Sequence, residues 1–217
     1  QCVIGFADKD CKAKAEAKFA GFLDDPNFII LAQDVCTPID YADDINYIFH
    51  AAGAASPYFI KNDPTGIIAA NTQGTVNILE LAKTKNIDNI VYPSTREIYG
   101  KVDDVDFVKE TDMGVFDPLE ARSCYPESKR MAETILKSYS VQFGIPFTVL
   151  RIAHSYGPGM IIGNDGRVMA DFITNAVNSS DIAMVRAVVI IGAILYQLSN
   201  LISDIIYAWL DPRVRME

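Results

Sequence analysis

Ser123-Cys124-Tyr125-Pro126-Glu127-Ser128-Lys129-Arg130 places a tyrosine and a lysine four residues apart. The apolar residues that follow (Met131, Ile135, Leu136, Tyr139, Phe143) recur at helical spacing. On a helix, a separation of four puts the phenol and the ammonium on one face, a turn apart. A cation beside a phenol favours the phenolate and is expected to lower a pKa that starts near about 10. A tyrosine tuned in that way can take a proton from an alcohol or sugar hydroxyl. By itself the spacing suits an exposed helix start equally well, so its meaning depends on the rest of the chain.

Upstream stands Val91-Tyr92-Pro93-Ser94-Thr95-Arg96-Glu97-Ile98-Tyr99-Gly100, a short apolar run that ends in hydroxyls and a carboxylate. Downstream stands Arg151-Ile152-Ala153-His154-Ser155-Tyr156-Gly157-Pro158-Gly159. Together the three stretches resemble the extended short-chain dehydrogenase/reductases, the NAD-dependent epimerases and dehydratases of nucleotide sugars. Their patterns there read S-T/S-x-E-V-Y-G, C-Y-x-x-x-K-R and R-x-x-N-x-Y-G-P, in this order and at this spacing. The resemblance covers about residues 1–184.

Between and before these motifs, the chain alternates strand and helix. Strands are expected over 2–7, 28–31, 46–50, 90–93 and 147–152. Helices are expected over 11–23, from Asp63-Pro64 through 65–85, and from Tyr125 onward. Asp63 serves as N-cap and Pro64 as first helical residue. With no hairpin signals, the alternation predicts an α/β fold with a doubly wound parallel sheet. In such a sheet the ligand crevice lies beyond the carboxyl ends of the strands. Asp34-Val35, Ala51-Ala52-Gly53 and Ser94-Thr95 all fall there.

The resemblance implies roles for these positions. Asp34 and Val35 would contact the adenine of NAD. His50-Ala51-Ala52 would line its pyrophosphate and ribose, and Asn71 belongs to an N-x-x-G-T helix motif. Ser94 is placed on the cofactor side as well. Tyr125 would take the hydroxyl proton at C4 of the sugar, with Thr95 bonded to the reacting oxygen. Lys129 would tune Tyr125 and hold the nicotinamide ribose. Glu97 matches a catalytic glutamate of the dehydratases and decarboxylases. His50 reads as a structural strand-end residue, and His154 is assigned no chemistry.

Arg96 bears on the reaction. The 4,6-dehydratases carry an Asp there as the acid for a departing hydroxyl, which a permanently protonated Arg cannot be. An Arg can hold a uronic acid carboxylate instead. Ala121-Arg122-Ser123-Cys124-Tyr125 also resembles the P-R-x-C-Y of UDP-glucuronate decarboxylases, and Arg167 lies in a stretch like the family's substrate-side helix. Decarboxylation of a 4-keto uronic acid leads, ahead of epimerisation, with 4,6-dehydration third. The resemblance further implies a nucleotide-sugar substrate and a homodimer.

Both ends depart from the family pattern. The G-x-x-G-x-x-G turn that carries the cofactor pyrophosphate is absent, and Gly5 and Gly21 cannot make it. The fold expected is therefore an incomplete Rossmann-type sheet lacking its first β-turn-α unit, with a chain that looks cut into at Gln1. Asp8 stands near the place of the acid that holds the adenosine ribose. NAD binding is expected to be weak.

Residues 185–217 read as a separate hydrophobic helical tail. Ala187 to Ser203 is 17 uncharged residues, and Asp204 alone interrupts the 24 positions of 187–210. That length approaches the ~20 apolar residues of a bilayer span. The run either enters a membrane or packs on the domain. Residues 185–217, above all Leu195 to Arg213, resemble the last helix of dipeptide-type ABC transporter permeases, which end in an N-L-x-x-D-x-x-Y-A-x-L-D-P-R pattern. The rival to an enzyme is thus a non-catalytic, membrane-anchored remnant or fusion.

Composition narrows the classes. Half of the 217 residues are hydrophobic and 22% are charged, which suits a globular domain. A net charge of −9 argues against a nucleic-acid face. Cys2, Cys11, Cys36 and Cys124 form no C-x-x-C, so a reducing cytosol is expected. Two histidines are too few and too separated for a metal centre.

Overall fold

The computed structural model of the chain describes residues 2–6, 11–103, 106–153, 155 and 190. Contacts divide the chain into two units, 1–155 and 156–217. Almost all described residues belong to the first, so Asp8, His154, Arg167 and, apart from Ile190, the 187–210 run lie outside them. Among the described residues no helix is long and apolar enough to cross a membrane.

The first unit runs β1 (Cys2–Phe6), α1 (Cys11–Lys18), β2 (Phe28–Ala32), β3 (Tyr47–Phe49), α2 (Pro57–Asn62) and α3 (Pro64–Lys83). It continues with β4 (Asn89–Thr95), α4 (Cys124–Phe143) and β5 (Phe147–Ile152). Short 3-10 turns occupy Ala20–Phe22, Arg96–Tyr99 and Ala121–Ser123. The helix expected over 11–23 is thus an α-helix followed by a 3-10 turn, and α2 was not foreseen. Its six residues PYFIKN are too few to show a helical period.

Among the described residues every ladder between strands is parallel, and Lys101 and Val115 form an isolated antiparallel bridge. β1 lies beside β2, from Cys2 opposite Phe28 to Phe6 opposite Ala32. In a separate ladder β4 is central, with Tyr47 of β3 opposite Asn89 and Phe147 of β5 opposite Ile90. No ladder among the described residues joins the two sets.

α3 starts as its sequence dictates. The Asp63 carboxylate accepts from the Gly66 amide at 3.0 Å, and Pro64 opens the helix. α4 ends at Gly144 in the left-handed region (φ 73°), whose amide closes on the Ser140 carbonyl. These two helices pack side by side on one face of the β3–β4–β5 ladder. Leu79 and Ala82 of α3 meet Ile90 and Tyr92 of β4, and Ala132 and Leu136 of α4. Leu79, Ile90, Tyr92 and Leu136 are fully buried. Alternation along β3 points Ile48 into this core and leaves Tyr47 and Phe49 exposed.

After β4 the chain turns sharply at Gly100 (φ 65°), where a Cβ would stand 2.8 Å from the Val115 carbonyl oxygen. Arg130 fastens this segment to α4. Its guanidinium donates to the Ile98 carbonyl at 2.6 and 3.2 Å and lies 4.5 Å over the Phe116 ring. Arg130→Ala is expected to cost about 2–3 kcal/mol, because two charge-assisted bonds are lost and a carbonyl is left bare. It should also expose residues 100–115 to limited proteolysis. Unchanged cleavage and an unchanged denaturation midpoint would refute that role.

Candidate functional site

The carboxyl end of β4 delivers Ser94 and Thr95, and the first turn and a half of α4 delivers Tyr125 and Lys129. All four are buried. Thr95 caps the following 3-10 turn, its hydroxyl accepting from the Glu97 amide at 3.2 Å. Tyr125 packs with Ile60 of α2 and Ile67 of α3.

Burial pushes the Tyr125 phenol up from its ordinary pKa, and the Glu97 carboxylate adds to that. A hydrogen bond with Thr95 and the Arg122 charge act the other way without prevailing. This corrects the expectation that Lys129 lowers Tyr125. The Lys129 ammonium donates to the Pro93 carbonyl at 2.9 Å and sits 4.5 Å over the Tyr92 ring. Its charge therefore serves the β4 backbone and a neighbouring ring. Burial brings Lys129 itself down to about 8, with Glu133 opposing.

Arg122, expected on the substrate, is held by Glu97. Its Nη2 lies 3.1 Å from both carboxylate oxygens, with both side chains partly exposed. Arg96 beside them is exposed. Ser94, expected on the cofactor side, donates its hydroxyl to Glu133 of α4 at 2.5 Å. Glu133 in turn receives Arg151 of β5 at 2.8 Å. Arg151 also donates to the Tyr99 hydroxyl at 3.2 Å and to the Glu110 carbonyl at 2.7 Å. Sequence reasoning missed Glu133, although an Arg inside an apolar strand signals a buried carboxylate partner.

Asn71 is wholly buried and ties α3 to α4. Its amide nitrogen donates to the Ser128 hydroxyl at 2.9 Å, which donates to the Tyr125 carbonyl at 3.1 Å. Its Oδ1 has no hydrogen-bond partner among the described residues and faces Gly53. A Cβ at Gly53 (φ 136°) would stand 2.6 Å from that oxygen, so only glycine fits where the loop after β3 crosses α3. Ala51 in that loop is exposed and Ala52 half-buried. At the end of β2, Asp34 accepts from the Cys36 amide at 2.8 Å. Val35 packs on Gly74 of α3, and its carbonyl accepts from Asn77 at 2.8 Å.

His50 is structural, as its strand-end position suggests. It is 2% exposed, its Nε2 lies 3.0 Å from the Thr75 hydroxyl, and burial with the Lys129 charge lowers its pKa to about 4. The unfolded chain takes up this proton below about 6.5, whereas the native state refuses it until about 4. Stability from this group is therefore full above pH 6.5 and is lost as pH falls to 4, on the order of 3 kcal/mol in all. Urea unfolding at pH 7, 5.5 and 4.5 should show a steep acid loss that His50→Gln flattens. Equal slopes in both proteins would contradict it.

No cluster of three metal-ligating side chains occurs among the described residues. For a dinucleotide, the present residues fit in part. The unpartnered Asn71 Oδ1, the Thr95 and Tyr125 hydroxyls and the Lys129 ammonium suit the nicotinamide nucleoside, and the Asp34-Val35 turn suits a second base. No glycine-rich helix N-terminus for a pyrophosphate occurs among the described residues.

Residues 26–193 match the family described as NAD dependent epimerase/dehydratase. The chain belongs to that family. The match begins just before β2 and runs past residue 184, where the sequence resemblance was expected to stop. This family member is 40% identical over 151 residues to UDP-glucuronic acid decarboxylase 6 of Arabidopsis thaliana, covering 70% of this chain and 43% of that protein. It is 35% identical over 158 residues to UDP-glucuronic acid decarboxylase 1 of Xenopus tropicalis, covering 73% and 36%. The chain thus spans less than half the length of these curated relatives. Its fold matches UDP-glucuronic acid 4-epimerase from Bacillus cereus in complex with NAD, at TM-score 0.60 and 21% identity over 81% of this chain and 52% of that one. Pal from Bacillus thuringiensis gives TM-score 0.63 at 25% identity over 75% and 52%.

Proposed function

We propose that this chain carries the catalytic residues of an NAD-dependent UDP-glucuronate decarboxylase. The observation that carries the reading is the buried Tyr125 phenol, bonded to Thr95 and flanked by the Glu97–Arg122 pair. Likeness to the plant and frog decarboxylases supports this subfamily over the epimerases.

When bound, NAD supplies the hydride acceptor. Tyr125 takes the proton from the C4 hydroxyl, and Thr95 holds that oxygen in line. Thr95 and Arg122 are the groups already in place that favour the phenolate. The resulting 4-keto uronic acid is a β-keto acid. Its C5–C6 bond breaks, carbon dioxide leaves, and the electron pair enters the C4 carbonyl as an enolate that is protonated at C5. Return of the hydride to C4, with Tyr125 giving its proton back to the C4 oxygen, would leave a UDP-pentose and oxidised NAD. Arg96, exposed beside the Glu97–Arg122 pair, would offer a cation to the carboxylate before it leaves, with Glu97 on the proton path. Lys129 would hold the nicotinamide side, with Asn71 and Ser94 supporting α4 behind it through their bonds to Ser128 and Glu133. Asp34 and Val35 would take the adenine, and Ala51 and Ala52 would leave room for the pyrophosphate and ribose.

The break between the β1–β2 and β3–β4–β5 ladders supports reading the sheet as a Rossmann-type sheet without its central first strand. The NAD-binding domain in this reading is residues 1–184, with 185–217 as an apolar tail.

The test is incubation with NAD and UDP-glucuronate, following carbon dioxide and the nucleotide product. Release of carbon dioxide with a UDP-pentose is expected. A UDP-hexuronate epimer without carbon dioxide, or a 4-keto-6-deoxy product from a dTDP-hexose, would overturn the decarboxylase reading.

A further inference from the structure

We propose that Tyr92 is a positioning residue for Lys129, its ring forming the face on which the ammonium is carried at the end of β4. The proposal rests on the functional reading only in that Lys129 is the residue being placed.

Lys129 is 5% exposed, so its charge has left water and needs compensation from the protein. Its one hydrogen bond among the described residues goes to the Pro93 carbonyl. Glu133, one helical turn on, is committed elsewhere, its oxygens taken by Ser94 and Arg151. The remaining partner is the Tyr92 ring, whose centroid lies 4.5 Å from Nζ. A cation over an aromatic face gains most where both are desolvated, as here.

Tyr92 is a poor choice for packing alone. It is fully buried in the core between α3, α4 and β4, yet its hydroxyl has no hydrogen-bond partner among the described residues. An aliphatic residue would fill that place without an orphan polar group. What an aliphatic residue lacks is the π face.

Two groups oppose the cost of burying the Lys129 charge, the Glu133 carboxylate and the Tyr92 ring. His50, after β3, lies 5.4 Å from the Tyr92 ring and stays neutral, bonded to Thr75. From α4, Tyr125 keeps its proton and Glu133 favours the charged lysine. Arg151 of β5 is ion-paired with Glu133 at 2.8 Å. α3 contributes the uncharged Asn71 and Thr75.

The experiment follows the Lys129 side chain by NMR in the full chain labelled with 13C-lysine, assigned with Lys129→Met. The unsubstituted protein should titrate Lys129 near about 8. Tyr92→Phe keeps the face and should move that midpoint by less than about 0.3 unit. Tyr92→Leu should lower it by about one unit, a tenfold shift in protonation. Pentafluorophenylalanine at 92 keeps the shape while reversing the ring's charge distribution, so it should lower the midpoint at least as far. It decides the matter if the leucine variant does not fold.

An unchanged midpoint with pentafluorophenylalanine would overturn the proposal and leave Tyr92 a core filler. A lysine titrating at its ordinary pH in the unsubstituted protein would overturn it as well. NAD titration separates the two readings. If Lys129→Met binds NAD as well as the unsubstituted protein, the cofactor role of Lys129 fails while the Tyr92 result stands.

Discussion

Replacing Tyr125 with Phe is expected to lower turnover of UDP-glucuronate by about a thousandfold, within the ~100- to 10,000-fold that a positioned acid–base group contributes. The ring stays, so its packing against Ile60 and Ile67 is kept. What goes is the hydroxyl that accepts the C4 proton, along with its bond to Thr95. Because burial holds that phenol protonated in the fold as it stands, removing the hydroxyl should cost little stability, about 1 kcal/mol or less. The measurement is initial rate against UDP-glucuronate, beside thermal unfolding of both proteins. A variant that unfolds normally and turns over within a few-fold of the unsubstituted protein would remove Tyr125 from the mechanism.

The largest effect on stability is expected from Glu133→Leu. Glu133 and Arg151 have side chains only 13% and 22% exposed, and Glu133 also takes the Ser94 hydroxyl. Removing the carboxylate leaves a half-buried guanidinium uncompensated and a buried hydroxyl bare. Breaking one side of such a pair costs about 3–5 kcal/mol. In a chain of this size that corresponds to a fall in Tm of about 6–20 °C. Arg151 keeps Tyr99 and the Glu110 carbonyl, so the lower half of the range is the better expectation. Adding Arg151→Met should recover most of the loss, because the buried charge then disappears with its partner. Denaturant unfolding of the two single variants and the double variant measures the coupling. A Glu133→Leu cost under about 1 kcal/mol would show that the network is screened by water and structurally idle.

Neither Glu133 nor Tyr92 was visible in the linear pattern. Both are single residues whose partners come from other elements, Arg151 from β5 for one and Lys129 from α4 for the other. Their roles exist only once parallel pairing sets Ser94 opposite Arg151, with α4 packed on that ladder.

The sequence by itself determined what depends on local spacing. Strand–helix alternation implied a parallel sheet, Asp63-Pro64 marked the start of α3, and the Tyr125–Lys129 interval put both residues on one helix face. The family motifs could be read because each is contiguous along the chain, and two of them fall at the end of β4 and in the first turns of α4. Tertiary structure decided the electrostatics. The Tyr125–Lys129 spacing suggested an ammonium tuning a phenol, but burial raised the phenol and sent the ammonium to Pro93 and Tyr92. Arg122 likewise looked free for substrate until the turn after β4 brought Glu97 against it. A residue's charge state depends on how much water the fold removes and which partners it brings near, and no one-dimensional spacing contains either quantity.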